Sequence, residues 1–541
     1  MDQESKSKVE FLSLAEELRL YILSFLPCRD ILRCTSACKA LRQMYMSSSE
    51  LQYTVELSGQ RLLPVPNPDD HTPISERLQL LRDKAHAWFD VDFHSFETVS
   101  LWKEIRNPHI IDGHIYTWDI HGDVATFIPI LPKPSQQIIQ RDQWQRTLSS
   151  ITSTSHSLNL NVFMDLAQNL IAVLHVIDRA LYIGLGALDG DGVHPLAAGQ
   201  RLSCSVLPGS DYSPIRLLFA TMKCFGRHIA LRWVSRLKGK WLQIWDWQGS
   251  TTSNCLLNDN SRTHPNEFCF LGNNRLLVIY HESDLNLYSI EDTSQAPQLL
   301  ACFSMPISLK HTRLCAVDYN GHMSQPKIQI QQTTYISDPK HWLVSMAVRD
   351  GRDGPVFIIS TRVFHDFAKM AGVADLEPIP WARWGPSNTR IFSRNARLCG
   401  NRVFQAVPIG TPDLSLKGYR LHMMDFSPLA VTNRRGLGRV VTKPSTTDII
   451  DWSRSEAEES LTTSLPYVEV QSYRVFNCYQ LRDVWVHKDR IYLDQFIWTN
   501  LFGPIYLDQF IWTNLFGPIY LDQFFQNSEL QRYSTLEVID V

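Results

Sequence analysis

No apolar run in this chain is long enough to cross a bilayer as a helix. Two of the longer uncharged stretches, Leu166–Ile177 and Gln509–Leu521, hold twelve and thirteen residues, against about 20 for a spanning segment. The opening decapeptide mixes acids with its lysines and leads into no apolar core with a small-residue cleavage site, so no secretory signal is expected. Cysteine is scarce. The 11 residues are scattered, odd in number and never spaced C-x-x-C, which argues for reduced thiols and an intracellular, cytoplasmic or nuclear, setting. A surplus of positive charge is missing too: 52 Lys plus Arg face 55 Asp plus Glu. A chain that neutralises many phosphates needs that surplus, so no nucleic-acid partner is expected.

Catalytic signatures are equally sparse. There is no H-E-x-x-H, no G-x-S-x-G and no G-x-x-x-x-G-K-[ST]. Gly436-Leu437-Gly438 lacks the third glycine of a dinucleotide fingerprint. Asp189-Gly190-Asp191-Gly192 starts like a calcium loop and then places Val193 at a ligand position, so a tight turn is the simpler reading. The 18 histidines show no ligand spacing. The expectation is therefore a protein that is not an enzyme, with no cofactor, no metal and no catalytic residue to name. A triad assembled from distant residues stays open.

What the chain does hold is apolar material: 44% hydrophobic and 20% charged residues over 541 positions. That is enough for three or four domains of ordinary size, or for one large β body. The N-terminal sixty residues are the most patterned. Ser13-Leu14-Ala15-Glu16 has the form of a capping box. Leu14, Leu18, Ile22, Phe25 and Leu26 recur at helical spacing, and Pro27 stops that helix. Asp30 is placed to cap a second helix carrying Ile31, Leu32, Cys34, Cys38 and Leu41. Two such helices in about 35 residues cannot close a core alone. Either they cover the large body that follows, or they need a partner. Cys28, Cys34 and Cys38 are read as small buried hydrophobes rather than metal ligands.

Leu14-Ala15-Glu16-Glu17-Leu18, Ile22-Leu23-Ser24-Phe25-Leu26, Asp30-Ile31-Leu32-Arg33 and Cys38-Lys39 resemble the F-box motif. That family runs Leu-Pro-x-Glu-Leu, Ile-Leu-x-x-Leu, Asp-Leu and Val-Cys-Lys, usually followed by Trp. Here Ala15 replaces the proline, Ala37 the valine and Leu41 the tryptophan, each an apolar or helix-compatible residue. The match covers residues 10–50. The resemblance implies binding to a Skp-type adaptor and, through it, to the cullin of a ubiquitin ligase complex. By similarity Leu14, Leu18, Ile22, Leu23, Leu26, Ile31 and Leu32 are the candidate adaptor contacts, some of which must pack within the motif itself.

Residues 59–98 follow as a proline-rich spacer, with Pro64, Pro66, Pro68 and Pro73, leading into one helix. Thr72-Pro73 opens that helix, and Leu78, Leu81, Ala85 and Trp88 form its apolar stripe as far as Phe89. Its spacing after the motif is similar to that of a fungal, basidiomycete F-box family.

From residue 99 to 495 the period changes to short strands. Gly226-Arg227-His228 leads to Leu242–Asp246, Gly272-Asn273-Asn274 to Leu285–Ser289, and Gly400-Asn401-Arg402 to Leu421–Asp425. Looser copies end at 119, 185 and 360, and the six ends lie 43 to 71 residues apart. A regular WD repeat takes about 40–45. The expected architecture is α+β multidomain: a small all-α unit, then a large all-β domain, either an irregular β-propeller of six to eight blades or an all-β sandwich. Trp118, Trp245 and Trp247 are read as strand packing, so no target-binding residue is named. Residues 496–541 are dominated by repetition: IYLDQFIWTNLFGP at 491–504 recurs unchanged at 505–518, and a third copy stops at Phe524. No folding requirement calls for identical strands in series, so low order and no function are expected of this tail.

The function expected is that of a receptor holding a protein target near the ligase through the β domain. A ligase-independent scaffold and, further off, a propeller hydrolase are the alternatives.

Overall fold

The computed structural model describes residues 11–65, 71–89, 96–101, 109–111, 114–118, 123–129, 144–152, 158–166, 168–177, 180–190, 192–204, 220–235, 239–258, 265–280, 284–309, 312–316, 335–348, 354–370, 377–392, 396–409, 418–432, 438–450, 458–476, 481–487, 490–499 and 531–540. A small helical region precedes a large all-β domain.

The helical region begins with α1 (Glu16–Ser24), α2 (Cys28–Ala37), α3 (Lys39–Ser47) and α4 (Ser49–Gly59). Leu23, Ile31, Leu41, Met44, Leu51 and Val55, all buried, form its core. Full burial of such side chains is worth about 1.5–3 kcal/mol each. This core answers the size argument, because α3 and α4 supply the apolar surface that two helices lack. Three local expectations change. Phe11–Ser13 coils into a 3-10 turn and Ala15 takes the N-cap of α1 without a side-chain capping bond, so the capping box does not form there. Pro27, not Asp30, caps α2; Asp30 lies in its first turn and pairs with Arg33 at 3.1 Å. The single second helix is cut in two at Cys38, whose backbone is extended.

Ser48 caps α4, accepting a bond from the Leu51 amide. Next, α5 (Ile74–Phe89) buries Leu78, Leu81, Ala85 and Trp88, the four positions of its sequence stripe. Glu56 of α4 is buried and accepts from Gln60 Nε2 at 2.8 Å, with Arg82 of α5 3.7 Å away. The spacer between α4 and α5 is anchored: Leu62–Pro64 is a strand paired antiparallel with Tyr335–Ser337.

Among the described residues, seven successive antiparallel sheets of four or five strands make up the body of the β domain. Sheets 1 to 4 span 109–147, 158–203, 221–258 and 265–304, each with four strands bonded in chain order. Sheet 5 spans 312–392, and sheet 6 spans 397–476 with a fifth strand, Arg439–Val441, at its edge. Sheet 7 joins Leu481–His487, Arg490–Thr499 and Gln531–Asp540, and its fourth strand is Phe96–Leu101. Buried clusters join neighbours: Phe127 with Val162 across sheets 1 and 2, Leu185 with Trp233 across 2 and 3, Ile244 with Phe268 across 3 and 4. Leu277 shares a cluster with Phe357, Ile358 with Val403, and Phe404 with Ile491, continuing to sheet 7. Sheet 7 then meets sheet 1 through its first strand. This succession, completed by a strand from ahead of sheet 1, is the strand order of a seven-bladed β-propeller.

The glycine turns of the sequence repeat occupy one position in three sheets. Gly226, Gly272 and Gly400 lie between first and second strands with φ of 56°, 88° and 57°, a region that favours residues without a Cβ. Five of the six strand ends read from sequence fall on third strands, whereas the one at 119 follows the second strand of sheet 1. The tail also differs from expectation. Gln531–Asp540 pairs on both sides, with Arg490–Thr499 and with Phe96–Leu101, and the first repeat copy supplies most of Arg490–Thr499. The second and third copies lie outside the described residues.

Candidate interaction surface on the first helix

Burial sorts the seven residues assigned from the motif. Leu23 and Ile31 are 2% and 0% exposed and belong to the helical core. Leu26 and Leu32 are half-buried against that core, and Leu14 is half-buried. Leu18 and Ile22 face outward, 53% and 42% exposed. Between and beyond them lie Tyr21 and Phe25, more exposed still. These four positions are spaced i, i+3, i+4 and i+7, which sets them on one side of the helix. Tyr21 and Phe25 touch edge to face, ring centroids 4.8 Å apart. Phe25 was visible in the sequence stripe and Tyr21 was not. The signal for Tyr21 was its place between Leu18 and Phe25, three residues after one and four before the other, on the side of the helix that the stripe already followed.

Leu18, Tyr21, Ile22 and Phe25 form a contiguous exposed apolar patch on one short helix, and contiguous patches, unlike scattered single exposures, are not ordinary on a folded surface. Glu16 and Glu17 in the first turn of α1 interact favourably with the positive end of its dipole. The departures from the motif are conservative in three dimensions. Ala15 has φ −57°, inside the range to which a proline ring is confined. Leu41, at the tryptophan position, is buried in the helical core.

The helical region is fixed at one end of sheets 5 and 6. Strands alternate in direction, so first-to-second turns and the ends of third strands share one end of each sheet, here called the near end. Tyr335–Ser337 precedes the second strand of sheet 5, and Asn401, between the first two strands of sheet 6, donates to the Gln60 carbonyl at 3.1 Å. Helix α4 packs on Pro428–Val431, just after the third strand of sheet 6. Trp88 lies against Phe404, with the Arg402 guanidinium 4.9 Å from its ring centroid. Arg61, at φ 61°, places Nη1 3.2 Å from His341 Nε2, and its carbonyl accepts from the Asp338 amide. Burial, then the Arg61 charge, pushes the His341 pKa down, so a neutral imidazole accepting from Arg61 satisfies the contact.

Among the described residues no group of three His, Cys, Asp or Glu side chains could hold a metal ion, and no helix is long and apolar enough to cross a membrane. Trp245 and Trp247 are wholly buried, donating to the Ser203 and Gly226 carbonyls. Trp118 is half-buried against the core between sheets 1 and 2.

No family model matches the chain, and no curated protein matches it. Among solved structures it is similar to the WD40 domain of Toxoplasma gondii coronin, at 9% identity over 70% of this chain and 86% of that one, with a TM-score of 0.32. It is similar also to the WD40 domain of SCAP from fission yeast, at 8% identity over 79% and 81%, TM-score 0.33. For the β-propeller domain of Cps50 (Swd1) from Myceliophteria thermophila the values are 8%, 82%, 100% and 0.35. At such identities and TM-scores the likeness adds nothing to what the sheet order already says.

Proposed function

We propose that this protein is a target receptor of a Skp–cullin–F-box ubiquitin ligase, binding the adaptor through the helical region and a protein target through the propeller. The observation that carries the proposal is the exposed Leu18–Tyr21–Ile22–Phe25 ridge on a region that already has its own core. Buried in a partner, those side chains would each contribute roughly 1.5–3 kcal/mol before the costs of association. The F-box resemblance supplies the identity of the partner. On this reading the chain makes and breaks no bonds. It raises the effective concentration of the target beside a ubiquitin-charged enzyme, inside the cell, in cytoplasm or nucleus.

The test is adaptor capture by the full chain. Leu18→Asp with Ile22→Asp places two charges on the ridge and touches no core position, so pull-down of a Skp-type adaptor should be lost with the circular-dichroism melt unchanged. Undiminished capture by the double variant rejects the proposal.

A further inference from the structure

The face of sheet 3 that meets sheet 4 changes character along its length. Past His228 and Asp246 at the near end it is apolar: Ala230 and Ile244 pack with Phe268 and Phe270. Toward the opposite, far end the same face turns basic. Cross-strand register sets Thr221 beside Arg232, Lys223 beside Ala230 and Lys240 beside Val234, so Lys223, Arg232 and Lys240 share that face. Across the seam stand Asn266 and Glu267, near the start of the first strand of sheet 4.

Lys223 Nζ donates to the Phe268 and Leu314 carbonyls at 2.7 and 3.2 Å and lies 3.7 Å from Glu267. Arg232 Nη2 donates to Thr221 Oγ1 at 2.9 Å and lies 3.9 Å from Glu267. Lys240 Nζ donates to Asn266 Oδ1 at 2.9 Å. Three cations thus face one carboxylate, leaving two positive charges uncompensated by the groups named. Both Glu267 contacts exceed hydrogen-bond length. Arg232 Nε is buried with no acceptor. Burial lowers the pKa of Arg232, against the pull of Glu267. Burial and then Arg232 lower that of Lys240, again against Glu267. A site whose cations are held partly out of water, one of them against a like charge, gains from an incoming anion.

We infer that this basic mouth between sheets 3 and 4 binds a carboxylate-bearing segment of the protein target. The inference rests on target capture by the propeller, as proposed above. It places the target at the end of the sheets away from the helical region, so both partners are held at once. A nucleic-acid backbone is a poor fit for a chain of net charge −3 with no surplus of Lys and Arg. Side-chain carboxylates suit it, two of them balancing the excess.

The experiment is fluorescence polarisation of the full chain with a labelled glycine-spaced glutamate peptide and its glutamine counterpart. The glutamate peptide should bind at least about tenfold tighter, and less so as salt rises. Lys240→Gln should weaken it about fivefold with an unchanged melting temperature. Glu267→Gln, which removes the competing carboxylate, should tighten it. Equal binding of the two peptides overturns the inference. So does weaker binding by Glu267→Gln together with a lowered melt, which would make the cluster a staple between sheets. Displacement by inorganic phosphate, where equimolar acetate is inert, would assign the anion as phosphate and overturn the carboxylate class. Failure here, with adaptor captured by the parent chain and lost by the Leu18→Asp, Ile22→Asp variant, rejects this mouth and leaves the ligase reading standing; peptide binding as expected with adaptor capture absent in the parent or undiminished in that variant does the reverse.

Discussion

His228 opens the second strand of sheet 3, directly opposite Asp246, and is 2% exposed. Burial drives its pKa down to about 4, with the Arg227 charge acting the same way and Asp246 opposing. A histidine held neutral in the fold binds fewer protons than in the unfolded chain, so its contribution is complete above pH 6.5 and is lost as pH falls toward 4. Between pH 6.5 and 5, above most carboxylate titration, this one group should cost about 2 kcal/mol. Thermal melts across that window should show His228→Asn with a flatter acid slope than the parent. Glu469 acts lower down: hydrogen bonding from His422 and the Arg439 charge, against burial, hold it at about 2. Its contribution is present above its ordinary value near 4.5 and lost only as pH approaches 2.

Helix α5 was legible because each position of its stripe is buried and proline marks its start. In α1 the stripe was legible and its direction was not, since an apolar face reads the same whether it meets a core or a partner. Leu23 and Leu18 settle the direction. Leu23→Ala should destabilise the helical region by about 2–5 kcal/mol, and Leu18→Ala by no more than about 0.5, in urea unfolding followed by helical ellipticity. The capping box misled because a 3-10 turn upstream let Ala15 take the cap position. Cys38 gave no breaker signal, being neither glycine nor proline, and yet divides two helices. Periodic glycines succeeded for the converse reason: Gly226, Gly272 and Gly400 occupy backbone conformations that other residues resist, so the turn had to be written in the sequence.

At the scale of the whole molecule, sheet count and closure were hidden. Sheet 5 carries the helices Arg362–Met370 and Trp381–Asn388 between its third and fourth strands, and sheet 6 holds the hairpin Ser445–Ile450 with Glu458–Thr463. These insertions stretch the repeat until its period is lost. The basic mouth was hidden as well, since Lys223, Arg232, Lys240 and Glu267 converge only through register. The tail shows the largest gap between sequence and structure. Low order was expected of residues 496–541 because of the repeats, but Gln531–Asp540, beyond the last copy, is the inner partner of two strands from opposite ends of the β domain. Truncation after residue 530 should therefore abolish cooperative unfolding of the β domain in calorimetry rather than trim an idle end.

The pairing of Phe96–Leu101 with Gln531–Asp540 also sets an order of events on the ribosome. The four helices with their own core can form as soon as they leave the exit tunnel, whereas the early strand must wait, unpaired, until the other six sheets have been synthesised. During that interval the bare strand edge of the nascent polypeptide remains a hazard, making this a natural client for chaperones that shield unpaired β edges.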